Sequence, residues 1–291
     1  MLALLLLACT EKPQDVKQQP PKRVVSVSFP AHYLVERLFS EIPTTCILPE
    51  KEDPMHWHPK PEDVAELSTN TLIVSVGSGY EAWMQTAALP SRSVLSLNSN
   101  LKLLSLHGQT HSHGKSGDHS HAGDDPFVWL NPKLYLQQAE FLHLQIERIF
   151  PEKSQHSKSQ LDVLKTELEE LSTQMDALQS KYSTYQIVSD QSLYAYLGSL
   201  WSVDIHSFHF SDLDPGAASL GIKNKEKVML WYEAGRPSVM LWSFSPKEEL
   251  LKSFPPDMKH VYVDPLTHPI DGQKYNYVQQ YTENIQRLST L

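Results

Sequence analysis

The chain has 291 residues, 40% of them hydrophobic and 20% charged, with a formal net charge of −9. That length suffices for two domains of about 100–150 residues each. So acidic a balance argues against a nucleic-acid binder, which needs a basic face for phosphates, and beyond the first few residues no apolar run approaches the roughly 20 residues of a membrane span.

Met1 to Cys9 reads MLALLLLAC. An apolar run, a small residue and then a cysteine look like the end of a bacterial lipoprotein signal, and the run is too short to cross a bilayer. Cys9 is therefore the expected lipidation site, although no charged segment precedes the run. Thr10 to Lys22 is polar and proline-bearing, as a tether is, so residues 1–22 are read as signal and tether. With Cys9 lipidated, Cys46 is the one thiol left and no intrachain disulfide can form. Its neighbours Thr45, Ile47 and Leu48 mark it as a buried small hydrophobe rather than a nucleophile.

Arg23 to Phe29 alternates and is β-branched, which predicts a strand. His32 to Phe39 has helical spacing, and Cys46 to Pro49 is a short second strand. Pro61 to Leu67 opens with proline and acidic residues, as helix N-termini prefer. Thr71 to Val76 is a buried strand ending in Gly77-Ser78-Gly79, a helix is expected from about Glu81, and Val94 to Leu97 is a further strand. Strands alternating with helices point to a parallel sheet covered on both faces.

His107 to His121, HGQTHSHGKSGDHSH, then places five of the chain's fourteen histidines in fifteen residues. With almost no apolar side chain, this segment cannot build a core. Neutral imidazole suits zinc, copper and nickel, and short His-rich tracts are the signature of loose metal capture. His107, His111, His113, His119 and His121 are therefore expected to touch a transition metal.

Pro132 to Phe150 is a helix, and Pro151 opens another expected to run to about Tyr182. In the latter Leu161, Leu164, Leu168, Leu171, Met175 and Leu178 recur every three or four residues opposite a charged face. At about 1.5 Å per residue it would be some 45 Å long, more than one small domain needs, so it is read as a brace between two lobes. The strand–helix rhythm then returns, with strands at Tyr185 to Ser189, Val203 to Phe210, Val239 to Trp242 and Val261 to Asp264. Helices are expected at Gln191 to Leu200, Lys223 to Ala234, Pro246 to Phe254 and Tyr275 to Leu288. The expected architecture is α/β: two lobes, each a mostly parallel sheet flanked by helices, joined by one long rigid helix. The lobes span 23–150 and 184–291, and the linking helix 151–183.

Open α/β sheets bind ligands beyond the carboxyl ends of their strands, which singles out four places. The loop Asp53-Pro54-Met55-His56-Trp57-His58-Pro59-Lys60-Pro61-Glu62-Asp63-Val64 offers His56 and His58, which share a side only if the segment is extended. Asp125-Pro126-Phe127-Val128-Trp129-Leu130-Asn131-Pro132 opens a helix with an apolar residue third. Asp190 ends a strand and reads equally as a helix N-cap or as a ligand. Asp264, before Pro265-Leu266, reads equally as a turn carboxylate or a ligand. No His-Glu-x-x-His or Gly-x-Ser-x-Gly motif supports a metallohydrolase, so no enzyme is expected.

Together the Cys9 lipobox, the Asp53–Val64 loop, the Asp-Pro-x-x-Trp-Leu-x-Pro segment, the long helix and Asp264-Pro265-Leu266 resemble the zinc and manganese ABC-transporter substrate-binding lipoproteins. The His-rich loop resembles the zinc-uptake branch. The resemblance covers essentially the whole mature chain. It implies one metal ion held between two lobes by about four side chains and delivered to the permease of an ABC importer.

Ligand by ligand, the chain departs from that family. Met55 stands where the family has its first histidine and Phe127 where it has the second. Asp190 replaces the third ligand, and Asp264 is retained as the fourth. His56 or His58 could supply the missing first imidazole by a small shift of the loop. His206, His209 and His268 lie near strand ends as candidate substitutes for the second, but each reads more readily as a surface or packed histidine than as a ligand. The implied ligand set is His56, His58, Asp190 and Asp264. A tetrahedral zinc site wants four N, S or O donors at about 2.0–2.3 Å, and an oxygen-rich set discriminates less against manganese. The expectation is a monomeric, lipid-anchored metal-capture protein on the outer face of a bacterial membrane, for Zn2+ with Mn2+ possible. The alternative is a surface or adhesion protein that keeps the fold with a degenerate or lost site.

Overall fold

The structure, a computed structural model, describes residues 21–105, 123–210 and 213–291, and the backbone of two short strands at 110–112 and 118–120. Cys9 and the residues before 21 lie outside it, as do the side chains of His107, His111, His113, His119 and His121.

The first sheet is built from β1 (Arg23–Ser26), β2 (Thr44–Cys46), β3 (Thr71–Ser75) and β4 (Val94–Ser96), all parallel and ordered β2-β1-β3-β4. Helices α1 (Phe29–Leu38) and α2 (Pro61–Leu67) connect its strands. All five residues of β3, TLIVS, are buried, as expected of a central strand covered on both faces. Strands β5 (Thr110–Ser112) and β6 (Asp118–Ser120) form an antiparallel hairpin with His111 opposite His119. Two helices follow, α3 (Pro132–Ile149) and α4 (Ser154–Asp176), and then the short α5 (Gln179–Tyr182). The second sheet contains β7 (Gln186–Ser189), β8 (Ile205–Ser207), β9 (Ser238–Trp242) and β10 (Lys259–Tyr262), again parallel and ordered β10-β9-β7-β8. Its connections carry α6 (Ala195–Trp201), α7 (Ile222–Trp231) and α8 (Glu248–Leu251), and α9 (Tyr277–Thr290) closes the chain.

Read from the β8 edge, the second sheet runs β8-β7-β9-β10, the same winding as β2-β1-β3-β4. Each sheet therefore reverses its winding between its two central strands, the switch point at which such sheets open a crevice. One continuous apolar core joins the halves, from Val24, Leu72 and Val74 through Trp129 and Leu164 to Ile187, Val239 and Leu241. Helix α4 packs on α1 and α3 and also on α6 and α9. Arg37 of α1 meets Glu167 at 2.7 Å, and the Trp201 indole of α6 donates to the Met175 carbonyl at 3.2 Å.

Some boundaries differ from expectation. Instead of a helix from Glu81 there is a single 3-10 turn, Ala82–Gln85, because Glu81 turns its side chain inward. The long helix is interrupted. A 3-10 turn at Pro151–Lys153 precedes α4, and α4 ends at Asp176 before α5 begins. Its 23 residues give about 35 Å rather than 45 Å. Among the described residues no helix is long and apolar enough to cross a membrane.

Gly77, just past β3, has φ +90°, and a Cβ there would lie 1.9 Å from Ser96 Oγ. Ser96 could rotate away, but the left-handed backbone would remain strained for any side chain. Gly77→Ala is expected to cost about 2–3 kcal/mol, read as a lowered midpoint in urea denaturation with an unchanged slope.

Candidate metal centre

A buried carboxylate sits at the switch point of each sheet. In the first, Glu81 accepts from the Ser28 hydroxyl at 2.6 Å, the Val76 N–H at 2.9 Å and the Gly77 N–H at 3.1 Å. It thus ties the end of β1 to the end of β3. In the second, Asp190 follows β7 and accepts from the Ser243 hydroxyl at 2.6 Å and from the Ser243 N–H at 3.0 and 3.1 Å. It ties β7 to β9 in the same way. Burial pushes Asp190 up to about 6, against the pull of the Ser243 hydrogen bonds.

Asp264 lies two residues beyond β10. Its Oδ1 accepts from the Leu266 N–H at 2.8 Å and its Oδ2 from the Gln280 amide at 3.0 Å. The Asn284 side chain holds the Asp264 backbone from both sides, each bond 2.8 Å. Burial raises this carboxyl, and the Gln280 hydrogen bond opposes it. Asp190 and Asp264 both act on one buried phenol. Burial first, then these two charges, holds Tyr194 well above its ordinary value. The two acidic candidates are therefore neighbours of the same group.

The two histidines are placed differently. Asp53 closes a turn in which its Oδ1 accepts from the Met55 N–H at 2.9 Å and its carbonyl from the N–H groups of His56 and Trp57. The segment is therefore not extended, and the condition for His56 and His58 to share a side is not met. His56 Nδ1 is 2.7 Å from Asp53 Oδ2, and His58 Nδ1 is 2.9 Å from the His56 carbonyl. Both side chains are exposed. Trp57 between them turns inward onto Trp83, with ring centroids 6.2 Å apart.

Met55 and Phe127 belong to the apolar interior. Met55 packs against the main core, and Phe127 is buried within it. Phe127 stands edge-on to Tyr80 at 5.7 Å, and Trp129 lies 5.2 Å from Phe127 and 4.8 Å from Tyr80. A band of hydroxyls and one indole seals this seam to the C-terminal half. Trp129 donates to the Pro265 carbonyl, Tyr277 to that of Trp129, Tyr281 to that of Leu130 and Tyr196 to that of Asp125.

Among the described residues, no three His, Cys, Asp or Glu side chains converge as a metal-holding group. Asp190 and Asp264 each act on Tyr194, while His56 and His58 stay exposed on their own loop. His268 is a strut instead. Its Nε2 is 2.8 Å from the Glu52 carbonyl and its ring lies 5.8 Å from Phe29. His206 stacks on Trp231 at 6.1 Å and meets Phe208 edge-on. Sequence reasoning passed over Glu81, whose signal was a carboxylate just after Gly77-Ser78-Gly79. It also passed over Asp125, whose Oδ1 accepts from the Phe127 N–H at 2.8 Å while its buried Oδ2 has no partner. Burial pushes Asp125 up to about 7.

Two parallel sheets of identical winding, each with a carboxylate at its switch point, define a ligand-binding α/β protein. The same fold occurs in the metal-dependent lipoprotein YcdH from Bacillus subtilis, with 15% identity, TM-score 0.77 and coverage of 92% of this chain and 98% of that one. It occurs too in the Zn(II)-bound ZnuA-like domain of Streptococcus pneumoniae AdcA, with 15% identity, TM-score 0.76 and coverage of 94% and 98%. FpvC from Pseudomonas aeruginosa, solved with Mn2+, is similar at 13% identity and TM-score 0.69, with coverage of 93% and 98%. The chain belongs to the ZnuA family, described as the periplasmic component A of the zinc-uptake complex, whose sequence profile matches residues 24–291. No curated protein matches it in sequence.

Proposed function

We propose that this chain captures a divalent metal ion, zinc foremost and manganese second, and passes it to the permease of an ABC importer. In this reading it is a monomeric binding protein and not an enzyme. A lipid on Cys9 holds it to the outer face of a bacterial membrane, and residues 23–150 and 184–291 form two lobes braced by the helical region 151–183. Membership of the zinc-uptake family supports the cargo class, as do the Zn(II) and Mn2+ carried by similar structures.

The observation that carries the reading is a pair of carboxylates, Asp190 buried and Asp264 half-buried, at the carboxyl ends of β7 and β10. A carboxylate taken out of water is unfavourable without a compensating cation, and hard oxygen donors suit a divalent ion. His56 and His58 complete the set by a rearrangement of their loop, which breaks the exposed contacts of His56 and His58, worth little, and also moves Trp57 against Trp83. The His107–His121 tract is an accessory collector.

Titration of the metal-free chain with zinc and with manganese in a calorimeter tests this. One ion per chain, bound tighter than about 10 µM or roughly −7 kcal/mol, is expected for zinc. Weaker binding of both metals would sink the delivery role. A second reading, a surface or adhesion protein with a lost site, is favoured by one observation. Met55 and Phe127, at the positions of the family's first two histidines, pack into or against the apolar core.

A further inference from the structure

Helix α7 presents apolar residues to solvent on the face where a surface helix is normally polar. At 100° per residue, Asn224, Val228 and Trp231 share one side. Asn224 and Val228 are buried there, and Trp231 packs on Phe208 and His206. On the opposite side lie Ile222, Met229 and Leu230, which are 80%, 52% and 89% exposed, with Glu226 among them. No other large apolar side chain of the described residues is as exposed as Ile222 or Leu230. Lys225 flanks this crest on one side and Lys223 and Lys227 on the other, all three exposed. In a chain of net charge −9, this ten-residue helix carries three lysines and one glutamate.

Apolar side chains flanked by Lys225 on one side and by Lys223 and Lys227 on the other, with Glu226 the one acidic residue on the face, follow the pattern of a helix lying in a membrane interface. The aliphatic side chains enter the headgroup boundary and the ammonium groups meet lipid phosphates. A second copy of the chain fits less well, since two such faces would bring lysines against lysines. We infer that α7 is a membrane-surface contact, seated on anionic phospholipid with Ile222, Met229 and Leu230 inserted and Lys223, Lys225 and Lys227 on the phosphates. Neither the metal site nor the lipid on Cys9 is needed for this contact. It would fix which side of the C-terminal half faces the bilayer.

The test uses the full chain with Cys9→Ser, which removes the thiol at position 9, and Met229→Cys labelled with an environment-sensitive fluorophore. Cys46, which is half-buried, is replaced by alanine in the same chain, so that position 229 carries the one thiol to be labelled. With vesicles of equal phosphatidylglycerol and phosphatidylcholine, the emission is expected to shift to the blue and brighten. Pure phosphatidylcholine vesicles should leave it unchanged. Adding Lys223→Gln and Lys225→Gln should weaken partitioning about 30-fold, on the order of fivefold per lysine, and raising salt should weaken it further. A label at Leu144→Cys, on α3, should not respond. The inference is overturned by no response at position 229, by an equal response on phosphatidylcholine, or by an equal response at position 144. It is likewise overturned if the shift grows with protein concentration alone, which marks a second copy, or needs membranes containing protein, which marks a protein partner.

Discussion

Asp125→Asn is expected to stabilise the protein at pH 8 by about 2–4 kcal/mol and to leave it nearly unchanged at pH 4. Unfolded, the Asp125 carboxyl has its ordinary value of 3.8, and in the folded chain burial pushes it up to about 7. Between those values the folded chain holds a proton that the unfolded chain has lost. Stability is therefore fully present below about pH 4 and falls as pH rises towards 7, by about 1.4 kcal/mol per unit. Asp190, raised to about 6 by burial, adds a loss of the same sign over a narrower window. Asparagine removes the titration at position 125 and keeps the bond from the Phe127 N–H to Oδ1. It leaves a polar atom where Oδ2 has no partner, which limits the gain. At roughly 2–4 °C per kcal/mol for chains of this size, the melting temperature at pH 8 should rise by about 5–10 °C. Calorimetric melts of both proteins from pH 4 to pH 8 check this. A variant less stable than wild type at pH 8 would mean that the carboxylate is held by a buried cation or water, and the linkage would then run the other way.

Much of the fold was legible because its signals are local. Thr71 to Val76 and Val239 to Trp242 are short β-branched or apolar runs, and each became a central strand buried on both faces. Apolar spacing also located α4, yet it continues through Leu178 while the backbone does not. The chain leaves α-helical bonding near Ala177, where the N–H of Leu178 bonds to Met175, and a periodic pattern cannot register such a break. The site was less legible. Whether His56 and His58 face one way depended on an extended loop, and the Asp53 side chain curls that loop into a turn. The burial of Asp125, and the pairing of Glu81 with β1 and of Asp190 with β9, arise from contacts up to 53 residues apart. Only the glycines before Glu81 hint at one of them; the partners themselves lie far off in sequence.

Loss of Asp264 is expected to weaken zinc capture by more than about 100-fold, since even an outer partner of a ligand is worth 10- to 100-fold. Asp264→Asn is the sharper variant, because an amide keeps one acceptor for the Leu266 N–H but carries no charge to offset the ion. His56→Ala with His58→Ala should produce a loss of similar size, because imidazole is what gives zinc its preference over manganese in an otherwise oxygen-rich set. Protons compete as well. Asp190 gains its proton near pH 6 and ligating imidazoles must be neutral, so affinity should fall steeply between pH 7 and pH 5. Zinc should raise the melting temperature of the wild-type chain, by the equivalent of about 2.7 kcal/mol at a free concentration 100 times Kd, and should barely move that of either variant. A third variant, with serine at His107, His111, His113, His119 and His121, separates the two places where metal could sit. If the cleft holds the ion, this variant keeps the tight site and loses only weak additional binding. If instead it loses all zinc binding while Asp264→Asn and the double histidine variant bind normally, the tract is the metal site and the aromatic seam around Phe127 has closed the cleft. In that case the surface-protein reading replaces metal delivery, Asp190 serves only to tie β7 to β9, as Glu81 ties β1 to β3, and Asp264 only holds the turn after β10 against α9.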